Sequence, residues 1–248
     1  MLEGLRTARG VWRSLGIYYG WHQRRRARAM DQLYRQFVRR SDLVFDIGAH
    51  VGDRVASFRR IGAKVLAVEP QPALAKTLRI IYSSNWGIEV VETAVGREVG
   101  DVRLMINADN PTVSTASSAF VHAARDADGW REQQWDKSIR VPMTTLDALI
   151  AAHGRPVFIK IDVEGFEEEA LMGLTQPVDA LSFEFTTIQR EVGRACVERC
   201  VTLGFTQFNA ALGESQELGQ WRSADEIKRW LDSLPHEANS GDVYARLR

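Results

Sequence analysis

The sequence has little cysteine, no net charge and no long hydrophobic run, and each absence excludes a class of protein. Its two cysteines, Cys196 and Cys200, are too few for a disulfide framework. Their spacing places both on one helix face, which favours packing as reduced thiols in a cytoplasmic protein. The 32 basic and 32 acidic residues balance, so overall charge does not favour nucleic-acid binding. No apolar run is long enough for a transmembrane segment, and the first residues lack the pattern of a signal peptide.

Arginine is concentrated in residues 1–40, where apolar residues recur at helical spacing. The basic run contains Arg24, Arg25, Arg26, Arg28, Arg35, Arg39 and Arg40. Such a run forms either a solvated helix face or a surface for phosphate, acidic partners or a membrane. We expect a basic helical extension over 1–40, followed by one domain over 41–248. Apolar residues exposed on this extension would suit a homodimer.

From residue 43 onward, short apolar runs alternate with helical patterns. Strands are predicted over 43–45, 65–68, 88–91, 102–106, 157–163, 181–185, 205–209 and 243–247. Helices are predicted over 51–60, 72–82, 146–152, 166–174, 191–203 and 224–231. Near-continuous apolar strands separated by helices are typical of a doubly wound α/β fold with a parallel sheet. In such sheets, ligands bind outside the carboxyl ends of the strands.

Residues 107–138 interrupt the alternation and form a long insertion, which we expect on the substrate side of the domain. Loops of this length are usually functional or disordered. The segment contains "NPTVSTASSAF" and two tryptophans, Trp130 and Trp135. These residues either line the mouth of a substrate site or form a small apolar cluster within a surface loop.

The segment "VFDIGAHVGDR" (44–54) joins a strand to a helix through a glycine loop. It matches neither the dinucleotide fingerprint nor a P-loop, because the third glycine and the Gly-Lys-Ser/Thr ending are missing. Asp46, at the strand end, would repel a pyrophosphate and attract an ammonium group. Glu69 ends the next strand, where an acid accepts hydrogen bonds from ribose hydroxyls. A ligand with a ribose, an ammonium and no phosphate fits S-adenosylmethionine.

Five segments of the chain, taken in order, match the pattern of a known family. They are "VFDIGAHVGDR", "GAKVLAVEPQP", "ETAVGREVGDVRL", "TTLDAL" and "FIKIDVEGFEEEAL". Together they resemble the FkbM family of S-adenosylmethionine-dependent methyltransferases over residues 41–190. The late "GDVYAR" is similar to a family ending. The family often has Asn where this chain has His50.

The resemblance implies a class I methyltransferase (Rossmann-like) fold with seven strands, the last pair forming an antiparallel hairpin. It implies that Asp46, Gly48 and Gly52 surround the methionine part of the cofactor, that Glu69 holds the ribose and that residues 92–95 flank the adenine. The full predicted cofactor set is Asp46, Gly48, His50, Gly52, Glu69, Pro70, Glu92, Thr93, Ala94 and Asp162. The activity typical of the family is O-methylation of a hydroxyl on a sugar, polyketide or similar metabolite.

The motif "IKIDVEG" carries the candidate catalytic residues. Strand alternation places Lys160, Asp162 and Glu164 on one side, and buried ionisable groups are costly unless they are paired or functional. We predict that Asp162 or Glu164 acts as the base or orients the acceptor, and that Lys160 pairs with one of them. His50 is an alternative base. The competing interpretation is a salt bridge between Lys160 and a glutamate that ties strand to helix without a catalytic role.

Glu184 ends the next strand, in "SFEF". With Asp162 and Glu164 it could converge on Mg²⁺, which prefers oxygen ligands, but the spacing does not define a metal-ligand set. We predict an S-adenosylmethionine-dependent methyltransferase that acts on a small-molecule hydroxyl. The competing prediction is a non-catalytic module that binds the cofactor and acts on a partner through the basic N-terminal helix.

Overall fold

The computed structural model describes residues 2–19 and 24–247. The helices are α1 (Leu2–Tyr19), α2 (Arg24–Tyr34), α3 (Asp53–Ile61), α4 (Pro72–Ile81), α5 (Ser118–Asp126), α6 (Leu146–His153), α7 (Glu167–Met172), α8 (Arg190–Thr202) and α9 (Ala224–Ser233). The strands are β1 (Leu43–Ile47), β2 (Lys64–Val68), β3 (Ile88–Val91), β4 (Ala94–Val95), β5 (Gly100–Ile106), β6 (Lys137–Thr144), β7 (Phe158–Ile161), β8 (Ala180–Thr186), β9 (Gln207–Leu212) and β10 (Ser240–Arg246).

Seven strands form the central sheet, in the order β3-β2-β1-β7-β8-β10-β9. Strands β1, β2, β3, β7 and β8 are parallel, whereas β10 runs antiparallel to both of its neighbours. The predicted class I methyltransferase fold, with a mostly parallel seven-stranded sheet, is therefore confirmed. The chain passes from β1 outward to β3 and then returns to β7 on the other side of β1. This reversal opens a crevice at the carboxyl ends of β1 and β7.

The strands form where the sequence is apolar on both faces. Alternate residues of β1 and β7 enter two different cores: Phe45 and Ile159 face one, and Val44 and Phe158 face the other. A strand buried on both faces lacks polar alternation, as expected for a parallel sheet covered by helices. Elements predicted from residue 43 onward have bounds within three residues of those observed. Both cysteines of α8 are free and buried, which confirms the packing predicted for them.

Helix α2 of the predicted extension packs into the core of the sheet. Met30, Leu33 and Tyr34 are buried there, and the Tyr34 ring lies 4.4 Å from that of Phe58 and 5.7 Å from that of Phe158. The domain boundary at residue 40 stays a prediction.

Helix α1 contacts α4 and a 3₁₀ turn at Pro111–Val113. Its Trp12 and Ile17 are exposed, and a homodimer through this helix also stays a prediction. Across residues 2–19 and 24–247, no helix combines the length and apolar character needed to cross a membrane.

A second sheet, of strands β4, β6 and β5 in that order, is absent from the sequence-based prediction. Strand β6 (KSIRVPMT) is mostly exposed or half-buried, so it has no apolar run to reveal it. The prediction also left the 107–138 insertion without a helix, whereas it contains α5. Ser117 caps α5 by accepting a hydrogen bond from the Phe120 N–H. A helix-capping serine followed by apolar residues at helical spacing is a pattern that predicts a helix.

Candidate active site

A cavity lies at the carboxyl ends of β1, β2, β7 and β8. Most of the predicted cofactor residues line it: Asp46, Gly48, His50, Glu69, Pro70, Thr93, Ala94 and Asp162. Gly52 and Glu92 are outside the lining formed by the described part of the chain. Because the parallel strands end at one edge of the sheet, residues far apart in sequence meet around this single space.

The glycine loop after β1 is pressed against the end of β7. Gly48 has φ +82° and donates its N–H to the Val68 carbonyl at 2.9 Å. A Cβ at position 48 would lie 1.8 Å from the Asp162 carbonyl oxygen, a distance that only glycine avoids. Gly52 precedes α3 at φ +84°, where a Cβ would meet Leu78 of α4 at 2.7 Å. The first glycine thus brings the backbone close to the cavity, and the second lets α3 pack against α4.

Two buried acids, Asp46 and Glu69, line the cavity at the ends of β1 and β2. Asp46 is 2% exposed, and nothing within residues 2–19 and 24–247 donates a hydrogen bond to its Oδ2. Glu69 accepts hydrogen bonds from the N–H groups of His50 at 2.9 Å and Gln71 at 2.8 Å. Burial raises the pKa of each carboxyl to about 7. The orphaned oxygen of Asp46 suits an ammonium donor, and the remaining lone pairs of Glu69 suit hydroxyl donors, so S-adenosylmethionine fits this set.

Only part of residues 92–95, the segment predicted to flank the adenine, lies at the cavity. Thr93, Ala94 and Val95 line the cavity. The Glu92 carboxylate instead forms an ion pair with Arg79, with 2.7 Å between Nη1 and Oε2. The structure therefore brings the later three residues to the site and directs the Glu92 side chain elsewhere.

Lys160 lies at the centre of a buried ionic cluster. Its side chain is 1% exposed, and its Nζ lies 3.1 Å from Asp162 Oδ2 and 2.8 Å from Asp242 Oδ1. Burial alone would lower the pKa of Lys160, but the two carboxylates outweigh burial and raise that pKa well above its usual value. Lys160 is therefore an ammonium that holds two acids and is unable to serve as a base. Asp242, from "GDVYAR", was not among the predicted site residues, although its motif was noted.

The ionic cluster also determines the charge state of Asp162. Burial acts to raise the pKa of this carboxyl, but attraction to Lys160 and Arg54 outweighs burial, so the pKa lies below its usual range. Asp162 is therefore ionised at neutral pH and is a weak base. This state suits a group that orients a ligand.

Glu164 and Glu184 approach Asp162 closely. One carboxylate oxygen from each of the three residues lies within 4.8 Å of the other two. The turn after β7 places Glu164 at φ +56°, and the Thr115 hydroxyl donates to the Glu164 carbonyl at 2.6 Å. Burial, reinforced by the neighbouring charge of Asp162, raises the pKa of Glu164 and that of Glu184 well above their usual values.

His50 faces the cavity beneath α1. Its ring lies 5.6 Å from the ring of Tyr18, and its Nε2 is 3.4 Å from the Thr112 hydroxyl. Burial lowers the pKa of His50 to about 4, so the imidazole is neutral at neutral pH and is a weak base. The catalytic role of His50 stays a prediction, and the approach of Tyr18 had no signal in the sequence.

One arginine of the basic run pairs with two acids that line the cavity. Arg26 Nη2 lies 3.0 Å from Asp53 Oδ2 and 2.7 Å from Glu214 Oε2, and Arg54 pairs with the same two acids. This network ties α2 to the start of α3 and to the segment after β9. Arg24, Arg25 and Arg28 are exposed, as either a solvated face or a partner surface requires.

The insertion contributes to the site through its polar residues. Thr112 and Ser114 line the cavity. Trp130 and Trp135 instead pack around Phe120, with ring centroids 5.2 and 6.2 Å away. The tryptophans thus form the small apolar cluster and do not line the cavity, and a role of the hydroxyl residues at a substrate site stays a prediction.

Binding of S-adenosylmethionine should strengthen as pH rises through about 7. The pKa of Glu69 is raised to about 7 by burial, so the carboxyl is protonated below that pH and loses acceptor capacity for the ribose hydroxyls. Between about pH 6 and about pH 7.5 we expect the affinity to increase by up to about eightfold, the limit reached if only the ionised form of Glu69 binds. Calorimetric titration across this range measures the increase. Glu69→Gln should show a shallower pH dependence, and an unchanged slope would contradict the assignment.

The fold and the site together define a class of protein. The β3-β2-β1-β7-β8-β10-β9 sheet is that of the class I methyltransferase fold, and a glycine loop after β1 and an acid at the end of β2 lie at its cavity. The model of the family described as "Methyltransferase FkbM domain" matches residues 46–238. The chain therefore belongs to the FkbM methyltransferase domain family, whose cofactor is S-adenosylmethionine.

Comparison with solved structures gives similar chains at low identity. A TehB-like S-adenosylmethionine-dependent methyltransferase from Corynebacterium glutamicum has TM-score 0.46 and 11% identity, covering 89% of this chain and 88% of that one. Precorrin-6y C5,15-methyltransferase from Geobacter metallireducens has TM-score 0.43 and 12% identity, covering 90% and 87%. Aeropyrum pernix fibrillarin, with natively bound S-adenosylmethionine, has TM-score 0.41 and 9% identity, covering 84% and 68%. Comparison with curated proteins gives no match. Family membership therefore rests on the family model.

Proposed function

We infer that this protein methylates a hydroxyl oxygen of a small molecule, such as a sugar, a polyketide or a related metabolite. This inference rests on a cluster of three carboxylates, those of Asp162, Glu164 and Glu184. They meet in the cavity that Asp46 and Glu69 also line. A hydroxyl is a poor nucleophile until its proton is removed, and a nearby carboxylate can remove it. The site thus combines a place for the methyl donor with groups suited to activating an oxygen.

The cofactor half would be organised by Asp46 and Glu69. When bound, S-adenosylmethionine supplies an electrophilic methyl group. Asp46 would accept a hydrogen bond from the ammonium group, and Glu69 would accept hydrogen bonds from the ribose hydroxyls. Glu69 is itself held by the N–H groups of His50 and Gln71, so little side-chain freedom is lost when it takes a ligand.

The acceptor half would be organised by the three carboxylates. Asp162, kept ionised by Lys160, would accept a hydrogen bond from the acceptor and fix its orientation. Glu164 or Glu184, in its ionised form, would take the hydroxyl proton, and the raised pKa of each makes its carboxylate a stronger base than that of Asp162. As the new O–C bond forms, the sulfur–methyl bond breaks, S-adenosylhomocysteine leaves and the carboxyl later returns its proton to water. Close alignment of the acceptor oxygen supplies much of the rate.

The test is methyl transfer to a panel of sugar and polyketide hydroxyls, followed by mass spectrometry of the product and of S-adenosylhomocysteine. We expect one acceptor class to gain a methyl on oxygen. Glu164→Gln should lower kcat by about 100-fold with cofactor affinity retained. The exposed Glu98→Gln serves as the matched control. Cofactor binding without transfer to any acceptor, and indifference to Glu164→Gln, would favour the non-catalytic module instead.

A further inference from the structure

If all three carboxyl groups of the acceptor half were ionised, they would contain more negative charge than the neighbouring residues neutralise. Lys160 Nζ lies 3.1 Å from Asp162 Oδ2, but the same ammonium also pairs with Asp242 at 2.8 Å. Glu164 and Glu184 lie beside Asp162, and no Lys, Arg or His of residues 2–19 and 24–247 forms an ion pair with either of them. The charge balance at the bottom of the cavity therefore favours a bound cation.

Two of the three carboxylates also lack hydrogen-bond donors. Glu164 is 7% exposed, and no residue in the described part of the chain donates to its carboxylate. The Oε2 atom of Glu184 is fully buried, and within the same ranges it has no partner either. Both side chains line the cavity. A buried carboxylate without a donor is costly, so these oxygens are suited to a ligand that enters the cavity.

The arrangement has the ligand chemistry of a site for a hard divalent cation. Carboxylate oxygens are the ligands that Mg²⁺, Mn²⁺ and Ca²⁺ prefer. Two oxygens bound to one Mg²⁺ ion lie at most about 4.2 Å apart, so the three oxygens here, which lie within 4.8 Å of one another, would draw together around a bound ion. Three ligands from two adjacent strand ends would leave other coordination positions open towards the cavity.

We propose that Asp162, Glu164 and Glu184 bind one divalent cation of the Mg²⁺ or Mn²⁺ type, which holds the acceptor oxygen in the cavity. The proposal rests on the function inferred above. The ion would coordinate the acceptor hydroxyl and lower its pKa, and the second oxygen of each carboxylate would remain able to take the proton. The acceptors favoured by such an ion carry two neighbouring oxygens, because both can occupy open positions.

The test is titration of the full chain, saturated with S-adenosylmethionine, with Mn²⁺, with free Mn²⁺ counted by electron paramagnetic resonance. We expect one ion per chain with a Kd below about 1 mM. Glu164→Gln and Glu184→Gln should each weaken binding at least about tenfold, since loss of even a supporting group costs that much. The exposed Glu98→Gln should bind as the wild type does.

The outcomes separate this proposal from the inferred function. No bound Mn²⁺ in a protein that does bind S-adenosylmethionine overturns the cation site and leaves the methyltransferase function standing. Binding that neither glutamate substitution weakens overturns the proposed ligands. Failure to bind S-adenosylmethionine itself would count against the function. If a variant does not fold, anomalous diffraction from Mn²⁺-soaked wild-type crystals decides whether the ion lies between Asp162 and Glu184.

Discussion

Glu69→Ala should weaken the binding of S-adenosylmethionine by at least about 100-fold. A hydrogen bond to a charged group contributes about 1.5–3 kcal/mol, and Glu69 would accept two from the ribose. Loss of about 3 kcal/mol corresponds to about two powers of ten in Kd. The substitution also removes the acceptor of the His50 and Gln71 N–H groups, so the loop after β1 loses a fixed support. Calorimetric titration of the folded variant measures the effect.

Two variants control this experiment. Glu89→Ala removes an acid of β3 whose side chain is 63% exposed and pairs with His153, so cofactor affinity should stay unchanged. Glu69→Gln retains one carbonyl oxygen and should lie between the wild type and Glu69→Ala. A Kd for Glu69→Ala within about threefold of the wild-type value would show that the acid at the end of β2 does not hold the ribose.

Lys160→Met should lower the free energy of unfolding by about 3–5 kcal/mol, because the loss of one partner leaves buried charge uncompensated. Methionine keeps most of the side-chain volume, so the effect isolates the ammonium. Without it, Asp162 and Asp242 lose the cation that lies 3.1 and 2.8 Å from their oxygens. Urea denaturation of the ligand-free protein measures the change.

The matched control for Lys160→Met is Lys228→Met. Lys228 also pairs with two acids, but Glu198 and Asp225 are 67% and 85% exposed, so about 1 kcal/mol or less is expected. The double variant Lys160→Met/Asp242→Asn should recover part of the stability, because it removes one of the two carboxylates that Lys160→Met leaves without a cation. Equal losses for Lys160→Met and Lys228→Met would mean that the buried cluster is not held together by its charges.

The acids of the proposed cofactor half could be predicted from the sequence because the pattern that marks each of them is local. The apolar run of β1 ends at Asp46, and that of β2 ends at Glu69. Parallel strands bring their carboxyl ends to one edge, so two such signals predict a shared site before any contact is known. The same reasoning brought Asp162, which follows β7, to the predicted site. It also indicated Glu184, although β8 continues to Thr186 and does not end at Glu184 as predicted.

Other features depend on long-range packing and left no local pattern. Asp242 reaches Lys160 across 82 positions of the chain, and Tyr18 reaches His50 because α1 lies over the cavity. Strand β6 pairs with both β4 and β5 although its own residues are mostly polar. Arg26 belonged to a basic run, and only the packing of α2 brings it to Asp53 and Glu214.

The sequence by itself determined the class I methyltransferase fold, the FkbM family and the acids at the strand ends. The doubly wound α/β fold and the strand-end acids follow from local periodicity, which the backbone geometry of parallel strands converts directly into position. The family and its class I fold follow instead from the resemblance of five motifs that occur in order. Only the tertiary structure decided the charge states of those acids. Whether a carboxyl is paired, as in Asp162, or buried without a donor, as in Glu164 and Glu184, depends on neighbours from distant segments. A pKa is set by burial and by charges within a few ångströms, and no local pattern of residues encodes either quantity.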